Sequence, residues 1–234
     1  MRLLLVLLAL IPLPIVATAC TGADAQKAQD LLEQSRVAAQ SVSSEGFTMK
    51  ISMNAAGQAA QVDAQGGMIL KGAGAGDFFA TMTTTTPGIP SQNVVMIKRG
   101  RSLQMRLNGV TRSLPVPTGM KPQAAAGFDL NAITPYVKDV SVTTLDVNGR
   151  TEDEVTGTLD GNALLSNLPG LSKGLLSKVG ASIGDIKVQL FIPRDTHLVE
   201  TALLGMTMHA GGQTLTMNMS YAVTSINQPL TFPQ

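Results

Sequence analysis

The 234-residue chain carries 17 basic and 16 acidic side chains, is 14% charged and 3% aromatic, and contains no Trp. That length supplies one sizeable core or a pair of small domains. A net charge of +1 with no basic run or tail, and few rings to stack on, argue against nucleic acid as a partner.

In chain order, Met1-Arg2 gives a positive charge, Leu3 to Val16 is apolar apart from Pro12 and Pro14, and Ala17-Thr18-Ala19 precedes Cys20. The stretch is short for a membrane span and reads as a signal peptide over residues 1–19. Cys20, the one cysteine of the chain, stands at the expected cleavage point and resembles the acylated Cys of a bacterial lipobox, with Ala17 where such motifs usually carry Leu. An exported lone thiol has no disulfide partner, which favours lipid attachment at Cys20 over an ordinary secretory signal. Two or more acyl chains on one residue make a stable anchor. The expected location is therefore the extracytoplasmic face of the cell membrane, with residues 20–234 as one domain.

A helix is predicted from Asp24 to Val42, where Ala28, Leu31, Leu32, Ala38, Ala39 and Val42 recur near helical spacing. From Phe47 the period changes to two: Phe47, Met49, Ile51 and Met53 alternate with Thr48, Lys50, Ser52 and Asn54. Strands follow at hairpin spacing over Gln61–Lys71, Asp77–Thr86, Asn93–Lys98, Ser102–Asn108 and Val110–Leu114. Residues 115–127 form a loop rich in Pro, Ala and Gly, and a short helix is predicted over Phe128–Val137.

The second half continues with strands Val140–Val147 and Glu152–Leu159 about an Asn148-Gly149 turn. Two brief helices are predicted over Gly161–Leu168 and Leu171–Val179, then strands Asp185–Pro193, His197–Met208 and Gln213–Val223. The expected fold is α+β: a single strongly curved antiparallel sheet, a half-barrel, with helices packed on its concave face.

No catalytic constellation stands out. His197 and His209 have no third ligand at metal-binding spacing and read as surface residues. No G-x-S-x-G elbow surrounds a serine, so a hydrolase is a distant reading. Gly72-Ala73-Gly74-Ala75-Gly76 lacks the Lys-Ser/Thr ending of a phosphate loop and reads as a hairpin turn. Glu152, Asp153 and Glu154 point to alternate sides of a strand and read as a solvated hairpin edge. No metal or cofactor is expected.

The methionines carry the functional signal. Met49, Met53, Met68, Met82, Met96, Met105, Met206, Met208, Met217 and Met219 all fall on predicted strands, where Val, Ile, Phe and Tyr are the usual core residues. Methionine is flexible and polarizable and suits a surface that meets variable apolar partners. Each of these residues alone is as well explained by an ordinary core. As a set, in a chain with so few rings, they suggest a partly unfilled apolar cavity. The candidate lining is Met49, Ile51, Met53, Met82, Met96, Leu103, Met105, Leu107, Val188, Leu190, Leu215, Met217 and Met219.

The chain resembles the LppX/LprA/LprF/LprG lipoproteins of mycobacteria and relatives, which are similar in fold to the LolA and LolB carriers. The resemblance rests on Cys20, on Ala25-Gln26-Lys27-Ala28-Gln29-Asp30-Leu31-Leu32 leading into Phe47-Thr48-Met49-Lys50-Ile51, and on Phe128-Asp129-Leu130-Asn131 before Val140. Val188-Gln189-Leu190-Phe191-Ile192 and Leu198-Val199-Glu200-Thr201-Ala202 match the closing hairpin. It implies a half-barrel around helices, an apolar cavity for the acyl chains of a lipid or lipoglycan, carriage across the envelope, and an envelope transporter as partner. The alternative, from another class, is a scaffolding lipoprotein whose sheet face docks a protein.

Overall fold

The computed structural model describes residues 22–55, 57–115, 133–161, 182–210 and 212–233. Helix α1 spans Gly22–Ala39, a stretch of good helix formers in which Ala28, Leu31, Leu32 and Ser35 make one buried stripe at i, i+3, i+4, i+7 spacing. It stops short of the expected Val42, because the N–H groups of Gln40, Ser41 and Val42 bond the carbonyls three residues back and tighten the last turn. The helix lies against strand β7 (Val137–Val147), and the Val199 N–H donates to its buried Ser35 Oγ at 3.0 Å.

The other strands are β1 Ser44–Ala55, β2 Gln58–Ile69, β3 Phe78–Thr86, β4 Ile89–Arg99, β5 Ser102–Leu107, β6 Val110–Pro115, β8 Arg150–Leu159, β9 Ser182–Ile183, β10 Ile186–Pro193, β11 Thr201–Ala210 and β12 Gln213–Ile226. They form one antiparallel sheet in the order β6-β5-β4-β3-β2-β1-β12-β11-β10-β8-β7, with β9 paired to β11 beyond the end of β10. The edges β6 and β7 are not paired to each other, so the sheet is open among the described residues. The fold is mostly β, with one α-helix of several turns among the described residues.

The turns β1–β2, β3–β4, β5–β6 and β11–β12 share one end of the strands, the tip end. Connections β2–β3, β4–β5, β7–β8 and β10–β11 share the other, the base. Asn108-Gly109 and Asn148-Gly149 have φ of 47°, 87°, 54° and 80°, positive at both central positions as a type I′ hairpin requires. The glycine-rich segment 72–76 is a turn between β2 and β3, as expected, closed by Ala75 and Asp77 N–H groups bonding to Gly72 and Gly74 carbonyls.

Two expectations change, and two more fall outside the described residues. Of the helix expected over Phe128–Val137, the described part is a helical Ile133 followed by the 3-10 turn Thr134–Tyr136, which contains Pro135, and Val137 already begins β7. The strand expected from His197 begins at Thr201, because His197 has φ 54° and its N–H turns back to the Pro193 carbonyl. The helices expected over Gly161–Leu168 and Leu171–Val179 fall, after Gly161, outside the described residues, as do residues 128–132.

The acidic run is also not a solvated edge. Asp153 is 2% exposed because it faces the same side of β8 as Val155 and sits opposite Ile192. Arg194 clasps it through Nε and Nη2 at 2.8 Å each, and Thr144 Oγ1 donates to it at 2.6 Å. Arg150 similarly spans Asp195 and Glu200 at 2.7 Å each. These pairs tie the β10–β11 connection to β7 and β8.

The Arg194 hydrogen bonds lower the Asp153 pKa from 3.8 to about 2, against the opposing effect of burial. A carboxyl depressed in the folded state stabilises fully above its unfolded pKa, and the contribution fades as pH falls through the folded value. Thermal melts should therefore lose about 2 kcal/mol of stability between roughly pH 4 and pH 2. Asp153→Asn should lose a comparable amount at pH 7 and show a flatter acid limb; an unchanged acid limb would assign that sensitivity elsewhere.

Candidate functional site

Residues paired directly across an antiparallel ladder project from the same side of the sheet. The register therefore tests whether the candidate lining can meet at all. Nearest the tips, Met53 lies between Ala60 and Met217, and Met217 is followed by Met206. One step toward the base run Val62, Ile51, Met219, Leu204 and Val188. The next row is Leu107, Val94, Met82, Ala64, Met49, Tyr221, Ala202, Leu190 and Val155. Met105, Met96, Ala80, Gly66 and Phe47 follow, and Leu103, Lys98, Phe78 and Met68 form the base row. Leu215 pairs Ala55 and Met208, so all the candidate positions share one face.

That face is not uniform. At the base Phe47, Met68, Phe78, Leu103 and Tyr221 are closed off, and Val188 and Leu190 on β10 are equally buried. Leu103, Val188 and Leu190 are thus part of the packed core. Met49, Ile51, Met53, Met82, Met96, Met105, Leu215, Met217 and Met219 are only half-buried, and Leu107 is 41% exposed. Ala28, Leu31 and Leu32 of α1 join the same apolar cluster as the base residues.

The base is built from rings. Phe47 stacks on Tyr221 with centroids 5.5 Å apart and planes 15° apart. The opposite neighbour of Phe47 is Gly66, where an added Cβ would run into the Phe79 carbonyl oxygen and lie 2.8 Å from Phe47 Cζ. Glycine there lets the Phe47 ring lie against β2.

Charged groups on this face lie at the base and at the β6 edge, where the exposed Arg112 stands opposite Met105. Tyr221 Oη donates to Glu45 Oε1 at 2.5 Å. Lys98, 8% exposed between Phe78 and Leu103, sends Nζ out to the Gly76 carbonyl at 2.7 Å, with Asp77 3.9 Å away. The rows from Met49 to the tips carry no charge. A half-covered surface rich in thioethers, uncharged from the Met49 row to the tips, is suited to hydrocarbon.

Of the residues on this face, Val62, Val94, Leu204 and Tyr221 were not among the candidates. Tyr221 was within reach, since it continues the alternation of Leu215, Met217 and Met219; Leu204 needed the β11–β12 register. His197 and His209 are both exposed. Among the described residues no group of three or more His, Cys, Asp or Glu could hold a metal, and no helix is long and apolar enough to cross a membrane. Two hollows of about 340 Å³ each open beside Thr48, Lys50, Asp63 and Thr83 and beside Ser52, Gln61, Thr85 and Asn218. They belong to the opposite, polar face.

No family model and no curated protein matches the sequence. Among solved structures, LprF from Mycobacterium bovis superposes with a TM-score of 0.56 at 16% identity, over 89% of this chain and 97% of that one. The Mycobacterium tuberculosis lipoprotein LppX gives 0.49 at 15% identity, over 88% of this chain and 98% of that one. The chain shares the LprF fold over nearly its whole length, in agreement with the resemblance read from its residues.

The two halves of the face should respond differently to truncation. Phe47→Ala at the base should cost about 3–5 kcal/mol in urea unfolding, and Met53→Ala near the tips about 1 kcal/mol or less. Equal losses would mean that the face is packed alike from end to end.

Proposed function

We propose that the chain is a non-enzymatic lipoprotein, one domain from Cys20 onward after removal of residues 1–19, anchored through Cys20 to the extracytoplasmic face of the cell membrane. Its methionine-rich sheet face holds the acyl chains of a lipid or lipoglycan, which it carries across the envelope. The observation that carries this reading is the register: Met53, Met206, Met217 and Met219 converge on one uncharged, half-covered region of an open sheet. Met49, Met82, Met96 and Met105 extend the region toward β5.

The magnitudes suit a carrier. Burying a methylene gains about 0.8 kcal/mol, so a chain of about sixteen carbons gains on the order of 13 kcal/mol before ordering costs. Escape into water is then slow, and transfer requires contact with an acceptor membrane or an envelope partner. Anchoring at one membrane keeps the carrier at the start of such a route. Methionine suits the task because its three torsions let one surface fit tails of different length and unsaturation.

Native mass spectrometry of protein purified gently from its host should reveal an acylated ligand, and Met53→Glu with Met217→Glu should cut occupancy at least about tenfold while leaving the melt near wild type. A uniformly empty protein that also takes up no lipid in vitro would reverse the reading and leave the face as a docking surface for a protein. Intact-mass analysis of the membrane fraction should find a diacylated or triacylated Cys20; an unmodified N-terminus near that residue would remove the anchor.

A further inference from the structure

The edge of the sheet opposite α1 has a composition unlike the rest of the chain. Between Phe78 and Pro115 there is no Asp or Glu, but there are Lys98, Arg99 and Arg101 toward the base, where Lys98 is buried with Asp77 3.9 Å away, and Arg106 and Arg112 nearer the tips. With 17 basic and 16 acidic residues in all, the remainder is left with an acidic excess. Lys98, Arg99 and Arg101 stand together at the β4–β5 turn, and because β3 to β6 are neighbours in the sheet the acid-free stretch forms one edge.

The tip end of this edge is apolar and bare. The β3–β4 turn, Pro87-Gly88-Ile89-Pro90, is exposed throughout, with Ile89 at 56%. Leu107 and Val110, paired across the β5–β6 turn, are 41% and 61% exposed. The Asn108 N–H bonds the Asn93 carbonyl, which sets the β5–β6 turn level with Asn93 and leaves Ile89 to Gln92 projecting beyond it. Arg106 and Arg112 flank the Leu107–Val110 pair, and Arg106 Nε donates to Thr111 Oγ1 at 3.3 Å.

An aliphatic wedge backed by Arg106 and Arg112, on strands β3 to β6 that carry no carboxylate, matches the order of layers in an anionic bilayer, with hydrocarbon beneath negative headgroups. We propose that the β3–β4 and β5–β6 tips form a docking surface for an anionic phospholipid membrane. Ile89, Leu107 and Val110 enter the interface, and Arg106 and Arg112 bind phosphates. A second copy is the poorer occupant of this open edge, because pairing β6 with β6 would bring two acid-free, basic edges together. The inference goes beyond the carrier reading and rests on different residues, although the docked end is also the end at which the methionine rows are least covered.

The test is flotation of a chain beginning at Thr21, which keeps every described residue and has no cysteine to acylate. It should float with phosphatidylcholine–phosphatidylglycerol vesicles, float poorly with phosphatidylcholine alone, and be released by salt. Ile89→Ser with Val110→Ser should weaken partitioning at least about tenfold, and Arg106→Gln and Arg112→Gln about fivefold each. Ile89→Ser alone, at a position that is 56% exposed, guards against misfolding as the cause. No binding to anionic vesicles, equal binding to neutral ones, wild-type binding by these variants, or a chain that elutes as an edge-paired dimer would each overturn the proposal. Acyl occupancy measured on the same variants separates the two ideas: docking lost with occupancy retained leaves the carrier reading standing, and the reverse leaves the docking surface standing.

Discussion

In an antiparallel ladder two residues directly opposite each other must project from the same side, and that geometry governs the rest of this molecule. Once β1 places Phe47, Met49, Ile51 and Met53 on one side, pairing carries the choice outward through β12, β11 and β10 in one direction and β2 to β5 in the other. A slip of one residue anywhere would send an apolar set into water and Thr48, Lys50 and Ser52 into the core. The Phe47–Tyr221 stack holds the register where it starts, and Gly66 makes room for the ring that does so.

The composition then decides how much of that side can be closed. With six Phe, two Tyr and no Trp in the whole chain, rings are too few to cover it, and Phe47, Phe78 and Tyr221 close it toward the base. Toward the tips the same face is filled out with thioethers, which pack adequately against many shapes and tightly against none in particular. Rigidity and adaptability are thereby assigned to opposite ends of one surface. The half-covered rows would be a liability in a protein with no guest, since contiguous exposed apolar area invites association. In the proposed function a hydrocarbon guest removes that liability.

Alternation was enough to find the strands, because a face that is apolar at every second residue leaves a period of two in the sequence. Met105 between Gln104 and Arg106 shows it as plainly as Met217 between Thr216 and Asn218. Pairing order was not readable in that way: nothing near Ser44 announces that β12, more than 150 residues later, will lie beside it. The failure at Asp153 has the same origin. Three consecutive acids look solvated until a neighbouring strand brings Ile192 opposite the middle one and a distant Arg194 neutralises it. The acid-free stretch from Phe78 to Pro115 is visible in the sequence, but that β3 to β6 form an edge of the sheet needs the pairing order. Leu103, Val188 and Leu190 followed the right period but fell in the closed part of the face, a distinction that depends on what packs above them.

The polar face adds the last element of this division. It too carries an apolar patch near the base, around Phe79, and the C-terminal segment covers it. Phe232 meets Phe79 edge-on with centroids 5.2 Å apart, Arg99 lies 5.0 Å over the Phe232 ring, and Leu230 sits where a Cβ on Gly67 would stand. Asn227 fastens that segment to the start of β1 through hydrogen bonds with Ser43 and Ser44. Both faces are therefore sealed at the base, one by buried rings and the other by the end of the chain, while at the tips the described residues supply neither cover. A sheet clamped at one end can rearrange side chains at the other without losing register, and that mechanical asymmetry is what a surface must have if its occupant changes and its fold does not.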